Sequence, residues 1–112
     1  MQNPSSTIHN MLELRPTCEH CNTPLPPNST EAMMCSFECT FCKHCVEHLL
    51  HNVCPNCGGG FVARPIRPQQ NWKGDNFVGK YPPASQPKHR PVNNVDHDVF
   101  AAAIRKIPPE GR

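Results

Sequence analysis

All eight cysteines of the chain fall between Cys18 and Cys57, and the remaining residues carry none. Cysteine this dense and even in number means disulfides or metal. The first ten residues, Met-Gln-Asn-Pro-Ser-Ser-Thr-Ile-His-Asn, have neither a basic stretch nor an apolar one, so no secretion signal is expected. A reducing cytoplasm is then the expected compartment, where clustered cysteine means thiolate ligands more often than disulfides. Leu, Ile, Val and Phe make up 21 of 112 residues, too few to offset backbone ordering of roughly 1–2 kcal/mol per residue over the whole length. Metal must supply what the core lacks. The same shortage argues against an enzyme with a deep pocket, and no stretch approaches the ~20 apolar residues of a membrane span.

The spacing is Cys18-x2-Cys21-x13-Cys35-x3-Cys39-x2-Cys42-x2-Cys45-x8-Cys54-x2-Cys57. Two intervening residues make a turn that brings both sulfurs onto one zinc ion at about 2.3 Å. Three such pairs and the x3 pair Cys35/Cys39 give eight ligands, enough for two closed tetrahedral sites with no position left for water, which makes them structural rather than catalytic. Sequential pairing would put Cys18, Cys21, Cys35 and Cys39 on one ion and Cys42, Cys45, Cys54 and Cys57 on the other. Interleaved pairing would join Cys18/Cys21 to Cys42/Cys45 and Cys35/Cys39 to Cys54/Cys57. Interleaving ties four loops into one unit, which a chain so poor in apolar residues needs, and structural zinc contributes about 10–16 kcal/mol per site in small peptides.

Along the chain, residues 1–10 read as a disordered leader, and Met11 is a possible internal start. Residues 11–66 form the two-zinc module. Pro24-Leu25-Pro26-Pro27-Asn28-Ser29 is a stiff loop. Met34 to Phe41 suits a short hairpin anchored by Phe37 and Phe41. Val46, Leu49, Leu50 and Val53 fall on one face of a helix of about two turns. Gly58-Gly59-Gly60 permits a tight exit, and Phe61-Val62 can add a strand. Residues 67–95, broken by Pro68, Pro82, Pro83, Pro87 and Pro91, read as an extended linker. Within it Trp72, Phe77 and Tyr81 are expected to pack back on the module, the alternative being contact with a partner. Residues 96–107 form an amphipathic helix capped by Asp96, with Val99, Phe100, Ala103, Ile104 and Ile107 on one face and Pro108-Pro109 ending it. A helix this short needs a surface, on its own module or on another protein.

The cysteine pattern resembles that of RING fingers, with Cys39 where many of them place histidine. Thr40-Phe41-Cys42, the helix at 45–52 and the Cys54-Pro55-Asn56-Cys57 turn fall where that family has corresponding features. The resemblance implies interleaved, cross-brace ligation and hence a small zinc-stabilised α+β fold: a RING-like cross-brace with two four-cysteine zinc sites, a short hairpin and one short helix, followed by a Pro-rich tail. A closer likeness covers residues 11 to about 68. Leu12-Glu13-Leu14-Arg15-Pro16, Cys35-Ser36-Phe37-Glu38-Cys39-Thr40-Phe41-Cys42, Cys54-Pro55-Asn56-Cys57-Gly58-Gly59 and Arg64-Pro65 resemble the small bacterial family called domain of unknown function 1272, and Pro83-Ala84-Ser85 extends the likeness. That family name implies zinc-binding cysteines and no established activity. RING ligases hold a conjugating enzyme through an aliphatic residue, a proline and a cation; the corresponding positions here are His20, Pro55 and Gly58, of which only the proline fits.

The function expected is therefore non-enzymatic: a zinc-binding module that mediates contact with a protein partner, through the terminal helix and the Phe37/Phe41 region. No nucleophile elbow, phosphate loop or His-Glu-x-x-His helix is present. The alternatives are a RING-type ubiquitin-ligase adaptor, a thiol/zinc redox sensor using Cys39, Cys42 or Cys45, and a nonspecific nucleic-acid binder. The last rests on charge: residues 1–60 sum to −3 (−7 with two zinc ions on eight thiolates) and residues 61–112 to +5, with Arg64, Arg67, Lys73, Lys80, Lys88 and Arg90 as the attracting groups. His20, His44, His48 and His51 crowd the cysteines and read as solvated neighbours; His48 and His51, three apart, are a weak further ion site, and His44 is a substitute ligand.

Overall fold

A computed structural model describes residues 11–112. The expected leader at 1–10 lies outside the described residues. Three short strands and one short helix make the frame: β1 (Ala32–Met34), β2 (Thr40–Cys42), α1 (Lys43–His48) and β3 (Val62–Ala63). The sheet order is β2-β1-β3, antiparallel throughout, with Met33 opposite Phe41 on one side and Ala63 on the other. The expected hairpin and the added strand after the glycines are thus present.

β1 shows the alternation of a half-buried strand, whereas β2 is buried at all three positions and β3 is exposed at both. Ala32, Met34, Thr40, Phe41 and Cys42 are buried, and Phe61 meets Phe41 edge to face at 5.5 Å. Phe37 does not join them. It sits on the turn between β1 and β2, 70% exposed, so the expectation that it anchors the hairpin is corrected. The x3 spacing between Cys35 and Cys39 is the reason: the turn closes through Glu38 N–H to Cys35 O and Cys35 N–H to Cys39 O, with Glu38 at φ 69°, and this turns the Phe37 side chain out.

Helix α1 is shorter than the expected 45–52. Its apolar face is as read, with Val46, Leu50 and Val53 buried. After Leu49 the chain leaves helical geometry, because His51 and Asn52 take left-handed φ values of 54° and 57°. Leu50 and Val53 therefore pack from a tight turn rather than from a helix.

The tail is irregular as far as Asn94 but does not run free. Arg67 donates to the carbonyls of Tyr81 and Leu12, Ala84 N–H donates to Leu14 O, and Arg90 N–H donates to Glu19 O. Phe77 and Tyr81 are half-buried and line one pocket with Leu12 and Leu14, whereas Trp72 is 80% exposed and does not pack back. Helix α2 (Asn94–Ile104) then docks on the module. Its cap is Asn93, whose side chain accepts from Asp96 N–H; Asp96, expected as the cap, occupies the first turn, where its charge suits the helix dipole.

The docking face of α2 is also displaced from the expected one. His97 and Ala101 are buried, with Ile104 half-buried, while Val99 is 76% exposed. The reason is polar. His97 Nε2 hydrogen-bonds Leu50 O at 3.0 Å, a carbonyl in the turn after α1 that also accepts from Val53 N–H. The small Ala101 lets the helix approach, and Phe100 and Ile104 lie beside Gly58. Of the two surfaces the terminal helix could use, it takes its own module.

Candidate metal centre

The first cysteine pair stands on a narrow loop. Cys18 N–H donates to Thr23 O and Asn22 N–H to Cys18 O, with Asn22 at φ 63°. The last pair repeats that plan: Cys54 N–H donates to Gly59 O and Gly58 N–H to Cys54 O, with Gly58 at φ 78°. The residue after the second cysteine must turn left-handed in both, which Asn and Gly tolerate best. The third pair is built differently. Cys42 ends β2 and is the N-cap of α1, and Cys45 follows in the helix's first turn. The second pair is carried on the turn between β1 and β2.

These elements bring the thiols together in two groups, and all eight are free. The sulfurs of Cys18, Cys21, Cys42 and Cys45 lie within 4.8 Å of one another. Cys35, Cys39 and Cys54 form the second group at the same separation. Cys57 is not within that limit; it is exposed on the knuckle that also carries Cys54, and its sulfur accepts from Gly59 N–H at 3.4 Å. The first pair is thus grouped with the third and the second with the fourth, which is the interleaved arrangement.

The donor set fits a tetrahedral thiophilic ion. Four sulfurs each about 2.3 Å from one centre stand about 3.8 Å apart, and Cys21 and Cys42 are 3.8 Å apart. N–H groups already face the sulfurs, as bound thiolates require: Phe37 N–H on Cys35 at 3.3 Å, Asn56 N–H on Cys54 at 3.4 Å and the Asn56 side-chain amide on Cys39 at 3.3 Å. Such a set would hold zinc through Cys18/Cys21/Cys42/Cys45 and through Cys35/Cys39/Cys54/Cys57, supplying cross-links rather than a reaction centre.

Without an ion the thiols are mutually unfavourable as anions. Burial, and then the Cys42 thiol and the neighbouring sulfurs, push Cys45 well above the ordinary thiol range. Burial also raises Cys54, where Asn56 and Cys57 N–H groups only partly offset it, and Cys42 is raised for the same first reason. Cys21 moves the other way: burial opposes it, but the Thr23 N–H and its neighbours' thiols outweigh burial and lower it. A divalent cation reverses this balance, deprotonating its ligands as it binds.

None of His20, His44, His48 and His51 joins either thiol group. His20 Nδ1 accepts from Val92 N–H at 2.9 Å, so it helps hold the tail. His51 Nε2 is 3.8 Å from an Asp98 oxygen on α2.

The polar residues that brace the site were not evident from the cysteine spacing. Glu19, inside the first knuckle and 1% exposed, accepts from Arg15 Nη1 at 2.7 Å, from Thr40 N–H at 2.6 Å and from Arg90 Nη2 at 3.0 Å. Arg64, buried, donates to the carbonyls of Arg15, Leu25 and Pro26. Burial, with Arg67 nearby, lowers the Arg64 pKa, while Glu19 and Glu13 raise that of Arg15 against the effect of burial. Three of the six cations expected to attract nucleic acid, Arg64, Arg67 and Arg90, are therefore committed within the chain. Lys73, Lys80 and Lys88 remain exposed.

The comparisons agree with this geometry in extent. The family model described as "Protein of unknown function (DUF1272)" matches residues 11–67. An uncharacterized protein of Rhizobium meliloti (strain 1021) is 53% identical over 72 residues, which cover 64% of this chain and 79% of that protein. No solved structure matches. The match takes in all eight cysteines, Glu19 and Arg64, and by it the chain belongs to the DUF1272 family.

Proposed function

We propose that the chain is a non-enzymatic protein-binding module whose fold is set by two structural zinc ions in a RING-like cross-brace. The observation that carries this reading is the interleaved gathering of cysteines alone, with Cys18, Cys21, Cys42 and Cys45 complete as a set of four. All-thiolate tetrahedral sites leave zinc no open position for water or substrate. Cys57 closes the second set, drawn in by the ion from its exposed place on the knuckle. The module then presents surfaces rather than a reaction centre, with the outer face of α2 and the turn bearing Phe37 as contact regions.

A ligase-adaptor role has less support. The surface between the first and last knuckles is a shallow pocket of about 210 Å³ lined by Glu19, Phe41, Pro55, Asn56, Arg90, Pro91 and Val92. The chain's own tail therefore lies over the region beside His20 and Pro55 that a conjugating enzyme would use.

Native mass spectrometry of reduced protein, followed by thiol titration after chelation, tests the metal part. Two zinc ions and eight released thiols are expected; metal-free protein with fewer thiols would overturn it. An autoubiquitination assay separates the adaptor role, since robust chains would replace the non-ligase reading.

A further inference from the structure

Helix α1 buries Cys45 and Val46 and turns Lys43, His44, Glu47 and His48 to solvent. His44 and His48 are four residues apart, so they stand one above the other on the same face. Their ring centroids are 4.6 Å apart with the planes inclined at 42°. The separation matches shared coordination. Metal–imidazole bonds of 2.0–2.1 Å, plus about 1.2 Å from nitrogen to ring centre, put each centroid about 3.2 Å from an ion, so two rings at right angles around it stand about 4.5 Å apart. Neither histidine has a protein hydrogen-bond partner among the described residues that would hold it elsewhere, in contrast to His20, His51, His89 and His97.

We propose that His44 and His48 form a further, exchangeable metal site on the outer face of α1, taking a divalent first-row cation with a preference for imidazole nitrogen, such as Ni2+, Cu2+ or Zn2+. Two protein nitrogens leave the other positions to water, so the site is open where the thiolate sites are closed. Glu47, between the two histidines in sequence and also exposed, adds negative charge close by. The site is separate from the thiol groups because Cys45 is buried in the module while His44 and His48 are exposed, and neither histidine joins a thiol group.

The test uses the full chain without an affinity tag, its cysteine sites loaded with zinc, titrated with Ni2+ and read by native mass spectrometry and calorimetry. One Ni2+ is expected to bind in addition to the zinc already present. His44→Gln or His48→Gln leaves a single imidazole and weakens that binding by on the order of 10²-fold, the loss expected when a two-point attachment becomes one-point. His51→Gln and His89→Gln leave it unchanged. Retention of zinc by every variant shows that the fold is intact. Undiminished Ni2+ binding by the His44→Gln/His48→Gln variant, or Ni2+ entry only with loss of zinc, would overturn the proposal.

Discussion

Removing Glu19 should weaken zinc binding although Glu19 is not a ligand. Its carboxylate is 1% exposed and holds the first knuckle to β2 through Thr40 N–H at 2.6 Å and to Arg15 at 2.7 Å. Arg15 is itself only 8% exposed. Glu19→Ala leaves that guanidinium buried with only the partly exposed Glu13 carboxylate, 3.5 Å from its Nε, and breaking a buried pair from one side costs about 3–5 kcal/mol. The Arg90 end of the bridge differs, because its side chain is 61% exposed and solvent screens it; its loss costs about 1 kcal/mol or less. In small thiolate modules binding and folding are one equilibrium. At 1.4 kcal/mol per decade, the Glu19→Ala cost becomes an apparent zinc affinity about 10²–10⁴-fold weaker, and Arg90→Ala about fivefold or less. Competition against a chromogenic chelator, on the full chain, measures both. Replacing the pair together, as Arg15→Met with Glu19→Leu, should recover much of the loss, since an apolar pair carries no stranded charge. The reasoning fails if Glu19→Ala stays within fivefold of the parent, or if Arg90→Ala costs as much.

Three further outcomes follow from the same contacts. Arg64→Lys keeps the charge but cannot reach the carbonyls of Arg15, Leu25 and Pro26 together, so urea titration of the zinc-loaded protein should show a loss of about 2–4 kcal/mol. Gly60→Ala places a Cβ 2.8 Å from the ring of Pro109; the terminal turn must move, and hydrogen exchange should rise at Gly111 and Arg112 while the thiolate sites keep their metal. Because burial raises Cys45 and Cys54 in the metal-free chain, those groups are protonated thiols at neutral pH and each must lose its proton to bind. Calorimetry in buffers of different ionisation enthalpy should then give proton release of up to about four per zinc, and affinity that falls as pH falls.

Much of the module was legible because cysteine spacing constrains geometry directly. The x2 gaps, the glycines after Cys57 and the aromatic run from Met34 to Phe41 led to the knuckles, the exit and the strands that the structure contains. What escaped was polar and long-range. Glu19 looks like a solvated residue between two cysteines until Thr40 and Arg90, far along the chain, are brought to it. His97 reads as the polar side of an amphipathic helix, yet it docks α2, because the turn after Leu49 presents Leu50 O to its ring. Phe37 misled for a related reason: aromatic character indicates burial on a strand, but the Cys35–Cys39 turn decides which way residue 37 faces. Of the six cations counted as a basic tail, the three arginines are internal donors: Arg64 and Arg67 to carbonyls that no regular ladder satisfies, and Arg90 to the Glu19 carboxylate.

Cadmium-113 substitution tests the interleaved two-site arrangement most directly, since each bound cadmium couples only to the β-protons of its own cysteines. Two resonances are expected in the all-thiolate range. One should couple to Cys18, Cys21, Cys42 and Cys45, and the other to Cys35, Cys39, Cys54 and Cys57. A single resonance, coupling of Cys18 and Cys35 to the same ion, or a second site completed by a histidine in place of Cys57 would contradict it.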